Sequence, residues 1–330
     1  MYFKGKISVQ VTLQSGQNVA LQTVIAVRTH DESKNIGADC EVEVPLNCRI
    51  EYLAYPGTYL TDYPQNIFQV GDPIAILAGY EGEQWIKVFE GFIWDFVEGN
   101  PMKIKILDYI YYLQQGLINI QHANISLQSL IQQILPPQVS LILPTIEFNL
   151  VDISFVQMSA YAILRYLKEK LGLNISLIGN QLYVNIASNT TSTVYFDTGV
   201  NVMRADLQSP QSIYRTFKII AHFENENGTE NKLEIGDPNG ILKECWFYKV
   251  QQNLTLYNQL AQGFLYQCKQ EHYSGYLTTW LYPDVQLFQR AIYNDRRYPA
   301  RSGTYVITQN NVTLDSKGFH RKIKLSYLAS

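Results

Sequence analysis

Acidic residues are the side chains of this sequence best suited to catalysis. Five of them lie close together in the chain: Glu81, Glu83, Glu90, Asp95 and Glu98. Glycoside hydrolysis needs only two carboxyl groups that the fold holds at a fixed separation. Glu81 and Glu83, however, flank a turn glycine, and Glu90 alternates outward from a strand, so a solvated face is the favoured interpretation. A cell-wall hydrolase that uses carboxylates remains as an alternative.

Other catalytic and metal-binding patterns give weaker signals. The five histidines show no H-x-x-x-H or H-E-x-x-H spacing: His30, His122, His222, His272 and His320. The sequence contains no G-x-S-x-G elbow and no glycine-rich phosphate loop. The basic residues Arg296, Arg297 and Arg301 could bind an anion, but a solvated loop or an ion-paired subunit contact is the better explanation. We therefore predict no catalytic residue, no metal site and no cofactor.

Composition narrows the class of partner. The 330 residues suit two to three domains, and the net charge of -3 with 17% charged residues gives no electrostatic footprint for nucleic acid. The 24 tyrosines suit either strand packing or protein interfaces. Exposed tyrosines also leave open a second alternative, a protein that uses them to recognise a receptor or glycan.

The sequence also predicts where the chain is made. The first residues lack the basic start and apolar run of a signal peptide, and no segment reaches the roughly 20 apolar residues of a spanning helix. Four cysteines without C-x-x-C spacing are expected to be reduced and partly buried: Cys40, Cys48, Cys245 and Cys268. We expect a cytoplasmic product that does not insert into a membrane.

Hydrophobic periodicity predicts the elements that would position any site. Alternating runs at 7–13, 48–52, 74–78, 85–93 and 103–107 indicate short strands separated by Gly, Pro and Asp. The period then changes: Ser126 and Ser159 are candidate N-caps of two amphipathic helices, the second ending at Gly172, and a hairpin follows at 174–184. Later segments alternate again at 193–196, 212–223, 232–235, 303–308 and 320–327, interrupted by one helix near 254–272.

This order predicts an α+β, mainly β chain of three units. Residues 1–107 would form a first small β-barrel, and residues 108–188 a small α/β domain. Residues 189–330 would form a second barrel that carries the inserted helix.

Several short motifs support a family resemblance. Gly71-Asp72 precedes a strand, Gly79-Tyr80 follows it, and Phe89-Glu90-Gly91 closes the next; Gly303-Thr304-Tyr305-Val306 lies near the C-terminus. With the run from Gly318 to Arg321, these motifs resemble the phage late control gene D-type tail hub proteins, which are similar to the N-terminal half of type VI secretion spike proteins. The chain departs from that pattern after Pro283, where the usual Gly-Asp is missing.

The resemblance implies an architecture and a set of partners. It implies two tube-type barrels per chain and a homotrimer whose six barrels form a ring. Such a ring would adapt a hexameric tail tube to a trimeric spike, with the tape measure protein and other baseplate proteins as further partners. Because the sequence ends just after the second barrel, a separate spike is expected. The protein would be a non-enzymatic component assembled in the bacterial cytoplasm and carried in the virion tail or baseplate.

Overall fold

A computed structural model of the chain describes residues 5–142, 148–185, 192–207, 216–224, 229–248, 250, 253–272 and 275–327. These residues contain twenty-three strands and five α-helices. The predicted α+β, mainly β class is therefore confirmed.

Residues 5–107, about a third of the chain, form an antiparallel sheet, which we call the first half of the molecule. Its strands are β1 (Gly5–Thr12), β2 (Asn18–Leu21), β3 (Ala26–His30), β4 (Asp39–Val44), β5 (Cys48–Tyr52), β6 (Tyr59–Asp62), β7 (Pro73–Tyr80), β8 (Ile86–Val97) and β9 (Met102–Leu107), with the short helix α1 (Pro64–Ile67) before β7. The strand order is β6-β5-β2-β1-β7-β8-β9-β4-β3. Alternate side chains of eight of these strands, such as Val9, Ile50, Ile76 and Ile104, share one buried core. Each contributes about 1.5–3 kcal/mol by leaving water, which explains why the alternating runs in the sequence form strands.

The middle unit mixes helices and strands. It comprises α2 (Ile110–Gln114), β10 (Ile118–Ser126), α3 (Leu127–Ile134), β11 (Ser140–Ile142), β12 (Asn149–Met158), α4 (Ala160–Leu171), β13 (Asn174–Ile178) and β14 (Gln181–Asn185). The Ser126 hydroxyl accepts from the Ser129 amide at 3.1 Å, and Ser159 accepts from Ala162 at 3.2 Å, so both predicted N-caps are confirmed. Gly172 ends α4 in the left-handed conformation, also as predicted.

The last part of the chain, from Thr193 to Tyr327, consists mainly of strands, and we call it the second half of the molecule. Its elements are β15 (Thr193–Asp197), β16 (Val202–Asp206), β17 (Phe217–Glu224), β18 (Glu230–Gly236), β19 (Ile241–Phe247), α5 (Leu254–His272), β20 (Gly275–Thr279), β21 (Arg290–Asn294), a 3-10 turn (Pro299–Arg301), β22 (Gly303–Asp315) and β23 (Gly318–Tyr327). The first residues of the strand predicted at 212–223 lie outside the described residues.

Strand β22 joins the two halves of the molecule. Its first residues pair with β21, and its last residues pair with β3, where Thr313 faces Arg28 and Leu314 faces Val27. One continuous strand order therefore runs from β6 through β3 and β22 to β23, β20 and β16.

Three buried clusters organise the packing. One fills the first half, and a second, smaller one lies between strands β15, β20, β21, β22 and β23. The third joins the middle unit to β17, β19 and α5, so the helix predicted near 254–272 packs against the middle unit. The pairing among the described residues follows open strand orders, and barrel closure and the boundaries after 107 and 188 stay predictions.

The cysteines and helices fit two further expectations. All four cysteines are buried, and burial raises the pKa of the Cys48 thiol to about 11. Within the described ranges, none of the helices is long and apolar enough to span a bilayer.

Candidate interaction surfaces and the junction between the halves

The Gly71-Asp72 motif forms the turn that places β7 beside β8. Gly71 has a φ of 94°, which a side chain would strain, and its amide donates to the Ile93 carbonyl at 2.8 Å. The Asp72 carboxylate accepts from the Gln69 amide at 2.8 Å, and the Asp72 carbonyl accepts from the Ile93 amide at 3.0 Å. The motif sets the shape of the turn.

Tyr80 connects the first half to the second. Its hydroxyl donates to the Phe319 carbonyl at 3.2 Å and accepts from the Leu281 amide at 3.4 Å. Its ring lies 6.1 Å from the Phe319 ring and 6.3 Å from the Trp280 ring, in the range of favourable aromatic pairs. Gly79 precedes it at a point where an added Cβ would lie 3.2 Å from the Gln84 carbonyl oxygen.

The remaining motif residues are packing residues. Phe89 lies in the core of the first half, and a Cβ on Gly91 would lie 2.2 Å from the Leu107 carbonyl oxygen. In the second half Tyr305 is buried and donates to the Arg301 carbonyl at 2.6 Å. Gly303 pairs with Tyr293 and has ordinary space around its Cα.

A short segment between β3 and β4, residues 31–38, is the place where all three parts of the chain meet; we call it the junction segment. On the side of the second half, the Ser33 amide donates to the Thr308 carbonyl at 2.9 Å. The Asn310 amide donates to the Asp31 carbonyl at 2.8 Å. The junction segment therefore continues the contact that β3 and β22 begin.

Lys168 of α4 holds the other side of the junction segment. Its ammonium group donates to the carbonyls of Ser33 at 2.8 Å, Asn35 at 3.2 Å and Ile175 at 2.7 Å. Burial lowers the pKa of Lys168 to about 8, because a charged ammonium loses hydration there. One side chain thus ties the middle unit to the junction segment.

Asp108 fixes the exit of the junction segment. Its carboxylate accepts from the Ala38 amide at 2.7 Å and the Ile110 amide at 2.8 Å. Burial raises the pKa of Asp108 to about 7, since desolvation outweighs the two hydrogen bonds. The first residue of the middle unit is therefore attached to the end of the junction segment.

A buried guanidinium supports the second half. Arg321 donates to the Asp284 carboxylate at 3.0 Å, to the Val285 carbonyl at 3.0 Å and to the Asn310 side chain at 3.2 Å. These groups replace the water that a buried charge loses. They fix the loop after Pro283, where the sequence departs from the family pattern.

The cleft beside the junction segment has a polar lining. Its volume is about 800 Å³, and Lys168, Gln267 and Lys324 line it. Two ion pairs also lie in its wall, Lys34 with Glu32 and Arg165 with Glu169.

The acidic cluster near β8 is exposed, as the sequence predicted. Glu81 pairs with Lys6, Glu90 with Lys87, and Asp95 with Lys105. Arg296 forms an ion pair with Asp197 of the same chain, and a subunit contact by the basic residues stays a prediction. In the described part of the chain, His, Cys, Asp and Glu side chains form no group of three or more that could hold a metal ion.

Exposed apolar side chains lie at several places on the large sheet, including both ends of its long strand order. At one end, the β5–β6 hairpin presents four of them: Leu53, Tyr55, Tyr59 and Leu60. At the other end, β16 presents Met203, and Val200 is exposed in the turn before it. Tyr195 is exposed on β15, which pairs with β21. Exposed aromatic and apolar groups on terminal strands are typical of interaction sites.

The fold was compared with known proteins. No protein-family model matches the sequence, and no curated protein matches it. Among solved structures, a tail protein from Neisseria meningitidis MC58 matches with a TM-score of 0.64 and 14% identity over 98% of this chain and 96% of that chain. The 43 kDa tail protein of prophage MuSo2 from Shewanella oneidensis matches with a TM-score of 0.62 and 15% identity over 98% of each chain.

This chain has the tail-protein fold. A component of the E. coli type VI secretion system, described as structurally similar to bacteriophage tail proteins, also matches, with a TM-score of 0.59 and 8% identity over 99% of this chain and 77% of that chain. The resemblance inferred from the sequence motifs is therefore confirmed at the level of the fold.

The motif residues occupy three separate places in the tail-protein fold. Gly71, Asp72, Gly79, Phe89 and Gly91 lie in or beside the β7–β8 pair, Tyr80 contacts the second half, and Gly303 and Tyr305 belong to β22. They do not form one site, and whether they determine the fold stays a prediction. Sequence reasoning missed Lys168 and Asp108. The only local signal for Asp108 is its position directly after a strand and before a helix.

Proposed function

We propose that this protein is a structural hub of the tail or baseplate of a phage or phage-like contractile machine. Three chains would form a ring in which residues 1–107 and 189–330 of each chain supply two tube-type barrels. The ring would adapt a hexameric tail tube to a trimeric spike. The observation that carries the proposal is the match to tail proteins over almost the whole of both chains.

The exposed edges support a head-to-tail ring. A ring closes when one surface of a subunit binds a different surface of the next and the rotation returns to the start. The β5–β6 hairpin and strand β16 are two such different surfaces, at opposite ends of one strand order, and both present exposed apolar side chains. Tyr55, which is 65% exposed, would become buried in this arrangement.

The proposed partners follow from this role. They are other copies of the chain, the tail tube protein and the spike, with the tape measure protein and other baseplate proteins as further partners. The chain would assemble in the host cytoplasm and remain in the virion tail. A structural role without enzymatic activity agrees with the exposed, ion-paired acidic residues and with the tail proteins that share the fold. No observation favours the hydrolase or the glycan-binding alternative over it.

Native mass spectrometry across a concentration series tests the ring. We expect a trimer whose population rises with protein concentration. Leu60→Glu places a charge on the β6 edge and should shift the trimer to monomer. Val156→Glu makes the same apolar-to-acidic change at an exposed residue on β12 and is the matched control. Trimer loss in the control alone, or a trimer unaffected by Leu60→Glu, would place the interface elsewhere.

A further inference from the structure

Strand β19 leaves one edge of a small sheet open. The sheet has the order β18-β17-β19, and among the described residues β19 pairs only with β17. The Ile241 amide donates to the Thr216 carbonyl of the chain leading into β17. Because the N–H and C=O of one residue point to the same side and alternate along a strand, those of Leu242, Glu244 and Trp246 point to the open edge.

The side chains of these same three residues share one face. Leu242 is 52% exposed, Trp246 is 45% exposed, and Glu244 lies between them. On the opposite face of β19, Cys245 and Phe247 belong to the buried cluster with α5, whereas Ile241 and Lys243 at the start of the strand are exposed. An added strand would therefore meet an apolar, an acidic and an apolar side chain in turn.

Trp246 is held in place before any partner arrives. Its ring stacks on His222 with centroids 4.6 Å apart and an interplanar angle of 9°. His222 is buried, and its two ring nitrogens face Glu230 and Glu244, the latter at 3.6 Å. A fixed, exposed tryptophan loses little conformational entropy on binding and is a frequent centre of binding energy.

The other edge of the same sheet is protected. Strand β18 carries exposed or half-buried charges at Glu230, Lys232 and Glu234. Charged side chains along an edge oppose strand addition. Strand β19 carries charges at Lys243 and Glu244, but only Glu244 belongs to the residues whose backbone faces the open edge, and apolar residues flank it there. We therefore take β19 as the edge better suited to a partner.

We propose that β19 binds an extended segment of another protein by strand addition. The segment carries a basic side chain between two apolar side chains at alternate positions, opposite Glu244, Leu242 and Trp246. Cross-strand pairs of opposite charge and apolar pairs stabilise such an addition, whereas like charges oppose it. The pattern reads the same in both directions, so it suits parallel and antiparallel segments. This inference goes beyond the ring and does not depend on it.

A second copy of the chain fits this edge poorly. Antiparallel self-pairing with the greatest overlap is centred on Glu244, the middle residue of β19, and places that carboxylate opposite itself. The chemistry therefore favours a different protein with a basic segment.

Peptide binding tests the proposal on the full chain. The probe is a fluorescein-labelled peptide, Thr-Val-Thr-Arg-Thr-Val-Thr, and the comparison peptide has Glu in place of Arg. Fluorescence anisotropy would be measured with the wild type, with Glu244→Lys, with Trp246→Ala and with Lys243→Ala. Lys243 lies on the same strand, but its backbone faces β17, so it is the matched control. Far-ultraviolet circular dichroism checks that each variant is folded.

The expected result is a reversal of preference. The wild type should bind the Arg peptide at least about threefold more tightly than the Glu peptide, and Glu244→Lys should prefer the Glu peptide. Trp246→Ala should weaken both peptides, and Lys243→Ala should change neither. The proposal is overturned if neither peptide binds up to about 1 mM, or if Glu244→Lys still prefers the Arg peptide. It is also overturned if Glu244→Lys converts an oligomer to monomer without any peptide binding, since a second copy would then occupy the edge.

Discussion

The Tyr80 hydroxyl donates a hydrogen bond to the Phe319 carbonyl, although 239 residues separate them in the sequence. Tyr80 ends β7 in the first half, and Phe319 lies in β23 of the second half. The contact belongs to the same boundary as the pairing of β3 with β22. The relative position of the two halves is thus fixed by side chains as well as by a shared strand.

Substitutions of Tyr80 measure this connection. Tyr80→Phe keeps the ring and should cost about 0.5–1.5 kcal/mol through the lost hydrogen bond. Tyr80→Ala removes the ring contacts as well and should cost about 3–5 kcal/mol. Urea unfolding followed by circular dichroism gives both values. Equal losses for the two variants would mean that the ring contacts add nothing.

Two motif glycines should respond differently to alanine. Gly91→Ala places a Cβ 2.2 Å from the Leu107 carbonyl oxygen, so strands β8 and β9 must separate, and we expect a loss of about 1–3 kcal/mol. Gly303→Ala meets atoms no closer than 3.6 Å and should stay within about 0.5 kcal/mol of the wild type. Thermal unfolding of the two variants and the wild type measures both changes in stability. A neutral Gly91→Ala would show that the close approach is not required.

Asp108 should make stability depend on pH. Its folded pKa of about 7 lies above the ordinary value of 3.8, so the folded state binds more protons than the unfolded state between these values. Its contribution is present below about pH 4 and is lost as the pH rises through 7. Asp108→Asn should flatten this decline in the free energy of unfolding, whereas the exposed control Asp95→Asn should keep it. Asp31, whose pKa burial also raises to about 7, would account for the remaining slope.

Lys168 should make the free energy of unfolding rise with pH in the alkaline range, opposite in sign to the effect of Asp108. Its folded pKa of about 8 lies below the ordinary 10.5, so the unfolded state binds more protons in that window and stability should rise with pH. Lys168→Met should lose this rise and, because three carbonyls lose their donor, should also be less stable at pH 7. Unfolding at pH 8 and pH 10 compares the variant with the wild type. An unchanged slope would contradict the buried ammonium.

Local patterns predicted much of the fold for a physical reason. The strands β5, β7, β8 and β9 alternate because one face is buried, and the caps at Ser126, Ser159 and Gly172 depend on neighbouring residues alone. Strands β10 and β12, which pair across α3 and β11, were not predicted. The sequence of β10 carries polar residues on both faces, whereas in β12 the buried Val151, Ile153 and Phe155 alternate with Asp152 and Ser154, a pattern that was overlooked.

The contacts of the junction segment could not be predicted, because they join groups that are far apart in the sequence. Lys168 binds backbone carbonyls of Ser33 and Asn35, which lie 135 and 133 residues away, and carbonyls carry no sequence signal. The sequence also does not indicate that Trp246 is exposed, because its exposure depends on which face of β19 the helix α5 leaves open. Tyr80 and Phe319 both belong to the motifs that carry the resemblance, but only the fold shows that they contact each other.

Electron microscopy of the purified chain is the decisive experiment for the proposed ring. We expect particles with threefold symmetry whose ring shows six barrel-like lobes, in agreement with a trimeric mass at the same concentration. Particles of another symmetry, or a monomer that persists at the highest soluble concentration and in the presence of a trimeric spike protein, would contradict it.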